Sequence, residues 1–266
     1  MKRKGIHKPT IEDIVEISGI ETLHPGGFPL SKRIAEIANM KKGLKVLDVS
    51  SGRGTQAILY AKEYDVSVTG LDISKEMILA ARQNAEKSGV SNKVTFVKGD
   101  SQALPFDDDS FDIVINECAV GIPDDSQQVL KEMVRVAKPG GTIVIHESTW
   151  IKKIGKQEKS DISERYGTTP LEYEEWLDLL HKAGVKNIVS ELEEWSNPEM
   201  FWEIRKERTV KDYTKVLSPV EQLITMKRLI SEYGFKAVLK AFENRKKFYN
   251  AVIDGKLGYC LYKGTK

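Results

Sequence analysis

Val46-Leu47-Asp48-Val49-Ser50-Ser51-Gly52-Arg53-Gly54 is the stretch that decides the fold, read with Val68-Thr69-Gly70-Leu71-Asp72 about twenty residues later. The first run is an apolar strand that empties into small residues and then a helix. The second is a strand that ends in an acid. An open α/β sheet holds a ribose-bearing ligand in this way. The turn must be small because backbone passes close to the ligand. The acid belongs at a strand end, where one carboxylate can accept from both ribose hydroxyls.

The details of the turn narrow the ligand. From Gly52 the chain reads Gly52-Arg53-Gly54-Thr55-Gln56-Ala57, close to a dinucleotide fingerprint, with Ala as the third small residue. Asp48, however, lies inside the strand end, where a carboxylate would repel a pyrophosphate. A cationic nucleoside such as S-adenosylmethionine suits it better. The plain alternative is a Rossmann-like turn with no ligand.

Further matches follow in order. Asp48 to Gly54 resembles the D-x-G-x-G-x-G loop of class I S-adenosylmethionine-dependent methyltransferases, with Ser50 in place of the first glycine. Asp72 resembles their ribose-binding acid, and Gly99-Asp100-Ser101 with Ala103-Leu104-Pro105-Phe106 resembles their adenine-contacting turn. Phe111 to Asn116 is similar to their fourth strand, and Val129 to Gly141 to the helix and turn before the fifth. The resemblance covers about residues 35–148. It implies S-adenosylmethionine as the cofactor. Asp48, Ser50, Gly52 and Gly54 would cradle its amino-acid end and Asp72 its ribose. Ile73 and Met77 would pack near adenine, Asp100 would accept from the adenine amino group, Ser101 would supply a backbone donor, and Asn116 would complete the set. Ser50 carries a Cβ where glycine is usual, so the loop is expected to avoid positive φ there.

Composition allows this architecture. With 266 residues, 40% apolar and 30% charged, the chain can bury a large core. A net charge of +2 gives no sign of a nucleic-acid surface. Met1-Lys2-Arg3-Lys4 is not followed by an apolar run, and no stretch nears the length of a membrane span. Cys118 and Cys260 are not a disulfide framework. A cytoplasmic protein, monomer or homodimer, without a metal, is expected.

Strand and helix alternate from Lys45 to His146, which implies a doubly wound, mainly parallel, seven-stranded Rossmann-like sheet. Upstream, residues 10–18 read as a short helix, Leu23 to Pro29 as a turn with no helical option, and Ser31 to Asn39 as a helix. His24-Pro25-Gly26-Gly27 is expected to close the cofactor site, with His24 facing the ligand. Ser74 reads as the N-cap of a helix over Lys75–Lys87. Downstream, Ile151 to Thr169 reads as a loop or broken helix, Leu171 to Lys182 as a helix and Lys186 to Leu192 as a strand. Residues 198–250 read as helical, broken near Ser218-Pro219 and Tyr233-Gly234, before a last strand at Leu257–Tyr262. The expected organisation is an N-terminal segment (1–40), a core (41–197), a helical cap inserted before the last strand (198–254) and that strand (255–266).

Methyl transfer asks for little acid–base chemistry, because the sulfonium already activates the methyl. No triad stands out. Glu117 and Cys118 follow the fourth strand, and His146 and Glu147 end the fifth, so all four are expected side by side above the methyl. Glu117, His146 and Glu147 are the catalytic candidates. The bland readings are solvated carboxylates, a packed histidine and a small buried Cys118. Trp150, Tyr166, Tyr173, Trp195, Phe201 and Trp202 could cage a cation or simply form the core of the cap. A small-molecule acceptor fits an enclosed cap. A quinone-like or lipid precursor is the alternative acceptor, and a cofactor-binding sensor or assembly protein without turnover is the alternative class.

Overall fold

The computed structural model describes residues 17, 26–166, 168–192 and 219–266. In chain order these form α1 (Gly27–Ile37), β1 (Lys45–Val49), α2 (Thr55–Glu63), β2 (Ser67–Asp72), α3 (Lys75–Lys87), β3 (Val94–Lys98), β4 (Phe111–Glu117) and α4 (Ser126–Val136). Then follow β5 (Ala137–Trp150), α5 (Lys156–Tyr166), β6 (Leu171–Glu172), α6 (Tyr173–Ala183), β7 (Lys186–Glu191), α7 (Pro219–Tyr233), α8 (Phe235–Ile253) and β8 (Leu257–Thr265). The sheet runs β3-β2-β1-β4-β5-β8-β7, with the two-residue β6 paired to β5 off this path. Only β8 is antiparallel to its neighbours. The expected doubly wound sheet is therefore present, and α7 and α8 intervene before its last strand.

Strand alternation sorts the core into two layers. Val46, Val68, Ile113, Ile115, Val144, Tyr259 and Leu261 pack with Leu30 and Ile34 of α1, Tyr60 of α2 and Ile78 and Ala81 of α3. Leu47, Val49, Leu71, Val114, Ile143, Ile145, Cys260 and Tyr262 pack on the opposite face with Leu130 and Met133 of α4 and Trp176 and Leu180 of α6. α3 begins as its sequence predicts, with Ser74 Oγ accepting from Met77 N at 3.2 Å.

The structure corrects several boundaries. α1 starts at Gly27, inside the stretch expected to exclude helix. Pro29 falls in the first turn, where backbone N–H groups have no helical partner to lose. Lys138-Pro139-Gly140-Gly141 is a register shift within β5: Phe111 pairs with Ala137 and Ile113 with Thr142. Residues 156–166 form a helix, α5. The expected helix at 10–18 lies outside the described residues apart from Ile17, which packs against Leu229 and Val238. His24, Trp195, Phe201 and Trp202 also lie outside them.

α5 and α8 sit at the carboxyl edge of the sheet, and α5 packs on α8. Ala251 and Val252 join Trp150, Ile162, Leu257 and Tyr259 in one buried cluster. Ile151 N donates to Lys256 O at 2.9 Å, and Lys256 pairs with Glu158 at 2.8 Å. The chain thus leaves β5 and re-enters β8 at the same edge.

Candidate active site

Strand order reverses between β1 and β4, the position where open α/β sheets bind ligands. The first residue after each of these strands is left-handed: Ser50 at φ 64° and Cys118 at φ 63°. For a non-glycine residue this costs about 1–2 kcal/mol. The expectation that Ser50 avoids positive φ is therefore wrong. The turn at Ser50 delivers Ser51 N to Leu71 O at 2.8 Å, closing the loop onto β2. At Cys118 the same turn brings its N–H to His146 O at 2.7 Å.

The loop is tied to the acid of β2. Asp72 accepts Gly52 N through Oδ2 at 2.9 Å and Ser74 N through Oδ1 at 2.8 Å. Burial raises its pKa against the pull of these two donors. Each oxygen keeps a lone pair for a further donor. Ile73, beside it, is 68% exposed, while Met77 is buried. On the far side of the loop, Asp48 is 3% exposed and its Oδ2 has no hydrogen-bond partner among the described residues. Burial first, then the charges of Glu117 and Asp72, hold its carboxyl well above the usual range. A Cβ at Gly52 would meet nothing within 4 Å.

Asp100 makes an ordinary turn, its Oδ1 accepting from Gln102 N at 2.9 Å, with Ser101 buried beside it. The next residues are lashed down from α4 by a pair that sequence reasoning missed. Arg135 donates to Leu104 O at 2.9 Å and Phe106 O at 2.8 Å, and Glu132 Oε2 accepts Leu104 N at 2.8 Å. The spacing of Glu132 and Arg135 on one helix face was the available signal.

Of the four residues expected side by side, Glu117, Cys118 and His146 cluster, and Glu147 is turned to the other face of the sheet. Glu117 pairs with His146 in the β4–β5 register, so these two share the α1–α3 face and Glu147 points to the other. Glu147 is fully enclosed. It accepts Val120 N at 2.6 Å, and the backbone N–H groups of Gly121, Ser148 and Ala119 also pull its pKa down. Burial outweighs these donors and pushes its carboxyl up to about 8. Asn116, also fully buried, accepts Ala119 N at 2.9 Å, and its Nδ2 has no partner among the described residues. Glu147 and Asn116 together shape the turn that follows β4.

On the other face, Glu117 Oε1 accepts from Tyr60 Oη at 2.6 Å and Oε2 from Ser31 Oγ at 3.2 Å. His146 is buried, stacked on Tyr259 with ring centroids 5.2 Å apart, and its Nδ1 lies 2.9 Å from Cys118 Sγ. Burial, aided by Glu147 and Glu117, raises the Cys118 thiol well above its ordinary pKa. Of the expected aromatic group, Trp150 donates to Pro170 O at 2.8 Å with Lys159 Nζ 5.7 Å from its ring centroid, and Tyr173 bonds Ser190 Oγ at 2.8 Å.

The family model described as "Methyltransferase domain" matches residues 40–197. The chain belongs to this methyltransferase domain family. Its domain spans β1 to β7, the part of the sheet that carries the loop, Asp72 and the β4 turn. Methyltransferase GfsG of Streptomyces halstedii is 35% identical over 129 residues, 48% of this chain and 46% of that protein. The [4+2]-cyclase SpnF has the same fold, with a TM-score of 0.74 at 20% identity over 99% of both chains. A Haemonchus contortus phosphoethanolamine N-methyltransferase 2, solved with phosphomonomethylethanolamine and S-adenosylhomocysteine, gives 0.72 at 20% identity, covering 96% of this chain and 57% of that one.

Proposed function

We propose that this methyltransferase moves a methyl group from S-adenosylmethionine to a small-molecule acceptor by in-line displacement. The observation that carries this reading is the tie between Gly52 and Asp72, which fixes a small-residue loop against a strand-end acid beside unfilled space. The residues present fit the donor. Asp48, with a buried orphan oxygen, suits a positively charged ligand. Ser50, Gly52 and Gly54 would line its amino-acid end. Asp72 would take the ribose hydroxyls, Ile73 and Met77 would flank the adenine, and Asp100, Ser101 and Asn116 would border it. When bound, the donor supplies an already activated methyl, so the chain's task is to orient the acceptor and exclude water.

Cys118, the first residue of the β4 turn, is half-buried. Its raised pKa keeps it a thiol, so it does not compete with the acceptor for the methyl. His146 is too enclosed to meet a substrate and positions Cys118 instead. Glu147 shapes the turn after β4 from the opposite face. In this reading residues 1–40 close the donor site, 41–197 and 255–266 form the core, and 198–254 cap the acceptor. The protein acts in the cytoplasm as a monomer or homodimer. α5 and α8 at the carboxyl edge support the cap, since a small acceptor needs enclosure. Hydrogen exchange in α5 and α8 should slow when S-adenosylhomocysteine binds, with β1 and β4 nearly unchanged. Equal exchange in both states would remove the cap from the reading.

Asp72→Ala should weaken S-adenosylhomocysteine binding about ten- to a hundredfold, the worth of a charge-assisted hydrogen bond, in a protein that still melts cooperatively. Calorimetric titration checks it, and unchanged affinity would overturn the ribose assignment. Formation of S-adenosylhomocysteine over a panel of small acceptors separates an enzyme from a binding protein.

A further inference from the structure

We infer that the hairpin of α7 and α8 docks on the surface of an anionic lipid bilayer, through exposed apolar side chains flanked by lysine and arginine. The inference is independent of the donor reading, because no residue of this surface belongs to the donor site.

The hairpin turns apolar residues in two directions. Leu229 of α7 and Val238 of α8 are buried in one cluster, with Ile17, Met226, Ile230 and Tyr233 packed against it. That seam already gives the two helices an apolar face to share. Val220, Leu223 and Ile224 nevertheless recur at helical spacing on another side of α7, and they are 66%, 71% and 47% exposed. Phe235 and Leu239, one turn apart on α8, are 60% and 47% exposed. Single exposed apolar side chains need no account, but five on one hairpin mark a surface that something covers.

Charge decides what covers it. From Pro219 to Ile253 the chain carries seven Lys or Arg and three Glu, a net +4 in a chain whose total is +2. The rest of the molecule is therefore net negative. Lys227 and Arg228 follow Leu223 and Ile224 by one turn, and Lys236 and Lys240 adjoin Phe235 and Leu239. All four cations are exposed, beside exposed Glu232 and Glu243. Apolar groups next to long cationic side chains suit the boundary of an anionic bilayer. There, rings and methyls enter the acyl region while the cationic heads reach lipid phosphates. A second copy meeting the same face across a two-fold axis would set like charges against each other. A nucleic acid would satisfy the cations and leave Leu223 and Phe235 against phosphate and water. No helix among the described residues is long and apolar enough to cross a membrane, so the contact is peripheral.

Co-sedimentation of the full chain with unilamellar vesicles tests the inference. The protein should partition about tenfold or more strongly onto vesicles of equal phosphatidylglycerol and phosphatidylcholine than onto phosphatidylcholine alone, and salt at about 0.5 M should abolish the difference. Leu223→Ser with Phe235→Ser should lower partitioning onto the anionic vesicles about tenfold. Lys236→Glu with Lys240→Glu should remove the preference for anionic lipid. All four side chains are exposed, so both variants should melt within about 2 °C of wild type. If the first pair melts lower, Val220→Ser with Leu239→Ser makes the same test and should give the same loss. No partitioning, equal partitioning onto both vesicles, or anionic binding that neither pair of substitutions alters would overturn the inference. Concentration-dependent dimerisation that Leu223→Ser with Phe235→Ser removes would also overturn it and give the face to a second copy.

Discussion

Gly54→Val is expected to lower the melting temperature by roughly 10 °C and abolish S-adenosylhomocysteine binding, whereas Gly52→Val is expected to abolish binding at a much smaller cost in stability. Both glycines are left-handed, at φ 75° and 52°, so any side chain is strained by about 1–2 kcal/mol. What surrounds them differs. A Cβ at Gly54 would stand 2.5 Å from Phe96 Cζ, 2.8 Å from Phe96 Cε1 and 3.0 Å from Ala81 Cβ. Phe96 and Ala81 are core residues of β3 and α3, so the clash adds about 1–3 kcal/mol of overpacking. Each kcal/mol is worth about 2–4 °C in a domain of this size. A Cβ at Gly52 enters open space that the donor reading gives to the ligand. Thermal melts and titrations on both variants check the pair. Retained binding in Gly52→Val would show that the loop does not approach the ligand.

The contrast between these glycines marks what was legible in the sequence. Spacing alone placed both in the loop, because small residues after an apolar strand read directly as a turn. That a Cβ at Gly54 would meet the core while one at Gly52 would meet nothing depends on Phe96, more than forty residues away. Ser50 shows the same limit. Its type argued against positive φ, and the bond from Ser51 N to Leu71 O, a tertiary contact, overrides that preference.

Faces were hidden as well. Glu117 and Glu147 looked equivalent because each ends a strand in an acid. Their separation follows from the β4–β5 register, which sets Glu117 beside His146. A shift of one residue in β5 would have put Glu147 on Glu117's face in place of His146. Tyr60 and Ser31 were invisible for a related reason. Tyr60 lies in a run of buried residues from Ala57 to Ala61, and nothing in the run names its hydroxyl's partner.

Glu147→Ala should be severe, because its carboxyl is buried and caps the turn after β4. The substitution strips the acceptor from Val120 N–H, an unsatisfied buried donor that costs about 1–3 kcal/mol, and leaves a cavity in its place. A loss of roughly 5–10 °C in melting temperature is expected, with the β4 turn exchanging fast. Glu147→Gln separates the shape of this site from its charge. The carboxyl titrates at about 8 in the folded protein and at an ordinary 4.5 when unfolded, so the native state holds the extra proton. Its contribution to stability is full below 4.5 and is lost as pH rises through about 8. The wild type should lose stability relative to Glu147→Gln across that window and run parallel to it above. The difference between the two curves cancels Asp48, whose pKa is also raised and which would otherwise contribute a slope of the same sign. Denaturant melts of both proteins from pH 5 to 9 measure the difference. A flat difference across the window would show that the backbone donors, rather than burial, govern this carboxylate. The turn after β4 would then be held by an ionised clamp.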